Sequence, residues 1–247
     1  MIRLAPLFLL LVSILLYTVP HRAIVGGAPV ASAAFARDEE TVIGPDHYVR
    51  GYPAQNRDGS VNAVIEIPAG TTGKFEVDDK DGALHWRHDR DTDERRSVDY
   101  LPFVVNYGMV PRTLSADGDP LDIVVLGAGM ERGHVAHTRV IGVLEMGDDD
   151  ERDDKLIAVP VEPALTNGFS RLHELNELDD AYPALREIME LWFANYWGVG
   201  NTRVRGWGDA AEARRILDEA KTTARSALPA ARDLRLRALL PFAWLVR

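Results

Sequence analysis

The sequence predicts a β-rich α+β domain, a small barrel or sandwich of short strands with helices gathered towards its C-terminal end. Two observations predict it. From Val61 to Val161 the apolar segments are short, separated by turn residues and uninterrupted by helical spacing. Behind Pro183 the apolar positions change to a helical period. Consecutive strands without alternating helices favour a barrel or sandwich over a doubly wound sheet.

The N-terminus reads as a targeting segment. Arg3 precedes an apolar run from Leu7 to Val19, and a small-residue stretch from Gly26 to Ala36 follows. That is the order of a secretory signal, and the run falls short of the ~20 residues of a membrane span. Residues 1–36 are therefore expected to be a signal peptide, with an uncleaved membrane anchor as the alternative, and the protein to be exported to the periplasm or secreted. Residues 37–60 are polar and rich in Asp, Gly and Pro, and read as an N-terminal arm. Val61–Ile67 reads as a strand stopped by Pro68-Ala69-Gly70. Lys74–Val77 and Ala83–Trp86 read as a hairpin across Asp81-Gly82. Residues 87–99 are highly charged and read as a loop. Leu121–Leu126, Val135–Met146 and Lys155–Val161 are further strands. Leu185, Ile188, Met189, Trp192, Phe193 and Tyr196 form one helical stripe. A second helix opens at Asp209, with Glu212 three residues on as a capping box. Residues 229–247 form an apolar, Arg-spaced tail, read as a docking or disordered segment with weak membrane association as the alternative.

Charge and composition narrow the function. The 247-residue chain carries a formal charge of −10 and no cysteine. Removing residues 1–36, which hold Arg3 and Arg22 and no acids, would take the charge from −10 to −12. Such a balance argues against nucleic-acid binding. A phosphate compound remains a possible ligand where metal ions or a local basic cluster reverse the field. There is no Gly-x-Ser-x-Gly and no P-loop, and Gly127-Ala128-Gly129 lacks the third glycine of a dinucleotide loop. His134 and His137 on a strand would face opposite sides, which argues against half a zinc site.

The chemistry concentrates in Asp117-Gly118-Asp119-Pro120-Leu121-Asp122. Three carboxylates in six residues repel by ~3 kcal/mol per pair at ~5 Å and an effective dielectric of 20. Such a cluster splays in solvent, shifts its pKa values or binds a cation. Gly118 and Pro120 frame a turn in front of an apolar strand, which favours the cation. A second acidic run, Asp148 to Asp154, ends at Lys155 on the start of a strand. Taken alone it is a solvated loop; its placement makes it a candidate second metal arm.

Asp117-Gly118-Asp119-Pro120-Leu121-Asp122 resembles the Asp-x-Asp-Pro-x-Asp signature of the family I soluble inorganic pyrophosphatases. Further segments follow in the same order: Val64–Gly70, Lys74-Phe75-Glu76, Asn106-Tyr107-Gly108, Gly142-Val143-Leu144, Asp148 with Asp153 and Lys155–Pro160, and Trp192–Tyr196. The resemblance covers roughly residues 60–225. It implies an OB-like twisted β-barrel of roughly five strands with flanking C-terminal helices, here the pyrophosphatase-like domain of residues 37–228. It implies Mg²⁺-dependent hydrolysis of pyrophosphate, several ions per site, and a homo-oligomer. Asp117, Asp119, Asp122, Asp148 and Asp153 would be metal carboxylates, with Glu66 and Glu76 beside them. Lys74, Arg96, Tyr107, Lys155 and Tyr196 would hold phosphate oxygens. Asp119 would accept the proton of the attacking water, with Tyr107 as the second catalytic group. Arg96 is preferred to Arg95 for its spacing to Tyr100-Leu101-Pro102.

The chain departs from the family pattern twice. Trp197 stands where a Lys usually follows the Tyr, with Arg203 or Arg205 as candidate substitutes. Phe103-Val104 stands where a Tyr-Pro pair is usual. These changes keep two alternatives open: an exported metal- or phosphate-binding protein without turnover, and a phosphohydrolase directed at polyphosphate or a nucleotide.

Overall fold

The computed structural model describes residues 36–147, 152–162, 165, 168–198 and 200–227. The expectations for residues 1–35, for Asp148 and for residues 229–247 lie outside the described residues. Five strands form the centre: β3 (Val61–Ile67), β6 (Asn106–Met109), β7 (Asp122–Val125), β8 (Val135–Gly147) and β9 (Lys155–Pro160). They pair in the order β3-β6-β7-β9-β8, and β8 pairs again with β3, so the sheet closes on itself. Only β7 and β9 run parallel among these pairs. This is the small closed barrel that the strand pattern and the resemblance predicted. Closure leaves no ring strand as a free edge.

β8 makes the closure possible because it is long, at 13 residues. Its first residues pair with β3, Thr138–Leu144 pair with β9, and its far end pairs with β10 (Arg203–Asp209). β3 is buried along its whole length because both of its faces are covered. Val61, Ala63 and Ile65 join the inner core with Ile123, Val125, Val143, Leu156 and Ala158, to which α3 (Ala210–Ala227) adds Ala213, Ile216 and Leu217. Val64 faces the other way, against a small sheet of β1 (Ala36–Arg37), β2 (Thr41–Ile43), β5 (Leu84–Trp86) and β4 (Phe75–Val77). The outer face of β7, β8 and β9 packs under α1 (Leu175–Ala181) and α2 (Leu185–Asn195). Among the described residues no helix is long and apolar enough to cross a membrane.

Several local expectations hold. β4 and β5 form the hairpin across Asp81-Gly82, with Gly82 at φ +72°. Asp209 caps α3: its Oδ1 accepts from the backbone N–H of Ala211 and Glu212 at 2.9 Å each. The N-terminal arm, residues 37–60, packs onto the fold. Thr41 and Val42 pair with β5, and Tyr48 is fully buried, donating its hydroxyl to Gly133 O at 3.0 Å. A segment of low apolar content is held here by one strand pairing and one aromatic anchor, neither of which leaves a periodic signal. β6, β10 and α1 also carry too few patterned residues to be read from sequence. On α2 the stripe buries Met189, Trp192 and Phe193, but Ile188 is 49% exposed.

Candidate active site

The residues Asn106-Tyr107-Gly108 show how the fold builds the site. Asn106 is wholly buried and uses every polar atom of its amide. Its Oδ1 accepts from Ala69 N and Met130 N, and its Nδ2 donates to Val125 O and Ala128 O. Gly108 lets β6 approach β3: a Cβ there would stand 1.8 Å from Val64 O. Between these two constraints Tyr107 is fixed, and its side chain lines a cavity of about 360 Å³.

The acidic hexapeptide forms an ordered turn at the mouth of that cavity. Ser115 N donates to Asp119 O, and Asp119 N donates to Asp117 Oδ1 at 2.9 Å. Gly118 sits at φ +91°, a conformation that favours glycine. Thr113 anchors the approach by donating to Val110 O and accepting from Leu121 N. A second loop, between β8 and β9, is pinned by Asp154, which accepts from Met146 N and pairs with Arg152. Asp154 is a supporting residue that sequence reasoning passed over among its acidic neighbours; its place one residue before a strand-leading Lys was the available signal.

Six carboxyl side chains line the cavity: Glu66, Glu76, Asp117, Asp119, Asp122 and Asp153. Two ammonium groups, Lys74 and Lys155, and two phenols, Tyr107 and Tyr196, face it as well. Lys155 is buried and donates to both Asp122 and Asp153. Burial alone would depress its pKa, but those two carboxylates outweigh burial and raise it. Burial, opposed by Lys155 and helped by Asp122, lifts Asp153 to about 6. Asp119 stays open to solvent, yet desolvation in the cleft and the charges of Asp117, Glu76 and Asp122 hold its pKa above the ordinary carboxylate value. Burial raises Glu66 well above that value, against the pull of its hydrogen bond from Val77 N at 2.8 Å. Glu76 pairs with Lys74 at 3.4 Å and Arg87 at 2.9 Å.

This is a surplus of hard oxygen donors, and in Glu66, Asp119 and Asp153 burial and neighbouring charge favour the protonated form. Divalent cations with oxygen preference relieve such a surplus. As the side chains stand, no three acids or histidines among the described residues converge as a finished ligand set. Instead the Lys155 ammonium sits between Asp122 and Asp153. The donor set fits a cation chemically.

The structure brings together every described residue that the resemblance assigned to the site except Arg96. Arg96 does not line the cavity; its guanidinium carbon lies 4.4 Å from the centre of the Trp197 ring, at the rim. Arg95 is held elsewhere, by Glu39, Glu40 and the ring of Trp86. Arg203 and Arg205 lie on β10 and neither lines the cavity. Asn201 and Thr202 do line it and were not anticipated, because they follow α2 without a motif of their own. Phe103 packs 5.6 Å from Tyr107, 4.5 Å from Trp192 and 6.2 Å from Tyr196, ring centre to ring centre. It is a hydrophobic backing for the two phenols.

The fold and the site together are a closed β-barrel with an acidic cavity flanked by cations. The chain belongs to the inorganic pyrophosphatase family, whose model matches residues 63–225. An inorganic pyrophosphatase of Gluconobacter oxydans is 34% identical over 178 residues, which is 70% of this chain and 96% of that protein. The crystal structure of an inorganic pyrophosphatase from Neisseria gonorrhoeae is 30% identical, with a TM-score of 0.56, covering 67% of this chain and 91% of that one. That of Thermus thermophilus is 25% identical, with a TM-score of 0.61, covering 73% and 99%.

Proposed function

We infer that this chain hydrolyses inorganic pyrophosphate to two orthophosphates with the help of Mg²⁺. The observation that carries the inference is one cavity that gathers six carboxyl groups, two ammonium groups and two phenols. Asp117, Asp119, Asp122 and Asp153, with Glu66 and Glu76 around them and Asp148 added by the resemblance, would hold the ions. Bound there, Mg²⁺ supplies a water acidic enough to attack at neutral pH and offsets the charge of the substrate.

The side chains do the rest. Asp119 takes the proton of the attacking water, a role its raised proton affinity suits. The water oxygen bonds to one phosphorus, the bridging P–O bond breaks, and its electron pair leaves with the second phosphate. Lys74, Lys155 and Arg96 neutralise the phosphate oxygens. Tyr107 and Tyr196 orient them as O–H donors. Both phenols keep their protons at neutral pH, as ordinary tyrosines do, and burial moves them further from ionising, Tyr107 well above its usual value and Tyr196 to about 12.

The test is phosphate release from pyrophosphate with Mg²⁺. Asp119→Ala and chelator should each reduce it by at least ~10²-fold. A folded wild-type chain that releases no phosphate would sink the reading. Equal rates on polyphosphate or a nucleotide would redirect it.

We also propose that the protein works outside the cytoplasm, on the support of Arg3, the apolar run Leu7–Val19 and the small residues before Ala36. N-terminal sequencing of the native protein checks this: Met1 intact in a cytosolic fraction would refute it. Self-association belongs to the same proposal. It is supported by Leu191, 64% exposed beside Ile188 on the outer face of α2, and sedimentation measures it.

A further inference from the structure

Trp197 follows Tyr196, the C-terminal cap of α2 and a residue of the cavity wall, and is 44% exposed. Two cations meet its ring. The Arg96 guanidinium carbon lies 4.4 Å from the ring centre and the Lys74 Nζ 5.2 Å. Both distances fall within cation–π range. The two side chains start from bonded neighbours, since Lys74 N donates to Arg96 O at 3.0 Å. Arg96 is further fixed by the Trp86 Nε1 donation to its carbonyl at 2.8 Å. The backbone of Trp197 is held by Asn201 Nδ2, which donates to its carbonyl at 2.8 Å, and the Tyr196 ring lies beside the indole at 6.0 Å.

Long cationic side chains on hydrogen-bonded neighbouring segments repel and sample many rotamers. A shared indole face counters both effects. It offers negative quadrupole density to each head and restricts where each can go.

We propose that Trp197 is a positioning residue for the substrate: its ring holds the Lys74 ammonium and the Arg96 guanidinium together at the cavity rim, pre-set for phosphate oxygens. Arg96 does not line the cavity itself; the shared ring would hold it beside Lys74, which does. The inference rests on the pyrophosphate reading of that cavity. Trp197 touches the cations rather than the reacting atoms, so its loss should weaken binding more than chemistry.

The test uses full-length chains with Trp197→Ala and Trp197→Phe. Three quantities are read: KM and kcat for pyrophosphate, the Kd of inorganic phosphate, and the NMR shifts of the Lys74 and Arg96 side-chain protons. In wild type those protons should be displaced upfield by the indole ring, and Trp197→Ala should return them to unshifted values. Trp197→Ala should raise KM and the phosphate Kd by ~3- to 10-fold, with kcat falling far less. Trp197→Phe keeps an aromatic face and should recover most of the loss. Unshifted protons in wild type, an unchanged phosphate Kd in Trp197→Ala, or a Phe variant as impaired as the Ala variant would each overturn the proposal. A wild type that binds phosphate but hydrolyses nothing would refute the activity alone, and the Kd and the proton shifts would still decide the role of Trp197. Absence of phosphate binding would overturn both.

Discussion

At the scale of single residues the site is a problem of excess negative charge, and Lys155 is the resident answer to it. Its ammonium is buried between Asp122 and Asp153. Lys155→Met should destabilise the metal-free protein by ~2–4 kcal/mol. That is below the ~3–5 of a fully enclosed pair because the Asp153 side chain is 38% exposed. Chemical denaturation measures it, and added Mg²⁺ should recover part of the loss by replacing the missing cation; a loss under ~0.5 kcal/mol would contradict the assignment. Most of these residues were legible in the sequence, because Asp117, Asp119, Asp122, Lys74 and Lys155 stand in segments that resemble those of the pyrophosphatase family. Arg96 was legible as a residue but not in its placement, since reach across a rim through an aromatic ring leaves no spacing signal. Asn201 and Thr202 were not legible at all: they enter the cavity only because the chain turns after α2.

At the scale of elements the barrel depends on close strand contacts that the sequence marks with single glycines. Gly108 is the sharpest case, with a Cβ position only 1.8 Å from the Val64 carbonyl. Gly108→Ala must push β6 away from β3 and disturb both Asn106 and Tyr107. The expected loss is more than ~3 kcal/mol, with a fall in activity, read as a lowered denaturation midpoint or insoluble protein. A variant of normal stability would mean that β3 and β6 are not so closely paired. Strands dominated by apolar residues, β3, β7 and β9, were read correctly because their burial is written along the chain. β6 and β10 were missed. Asn106 and Gly108 in β6 serve hydrogen bonding and close approach, and Arg203, Arg205 and Gly206 in β10 mask any alternation. The polar stretch before Val61 reads in sequence only as an N-terminal arm, because Tyr48 and Val42 are isolated anchors in it.

For the molecule as a whole, protons and divalent cations compete for one acidic cavity. Asp153 has its carboxyl raised from 3.8 to about 6, so the fold favours its protonated form. The stability from that preference is fully present below pH ~4 and is lost as the pH rises through about 6. A bound cation requires the ionised form, so its contribution grows over the same window. Added Mg²⁺ should therefore raise Tm more at pH 8 than at pH 5, and calorimetry at the two values checks it. An equal shift at both would remove the cavity from consideration as the metal site. Hydrolysis by attack of water is the claim on which the rest depends. It is tested most directly by incubating the full-length chain with pyrophosphate and Mg²⁺ in ¹⁸O-labelled water and measuring the label in the product. Two orthophosphates per pyrophosphate, carrying one ¹⁸O between them, are predicted. A folded chain that releases no phosphate, or phosphate free of label, would contradict it.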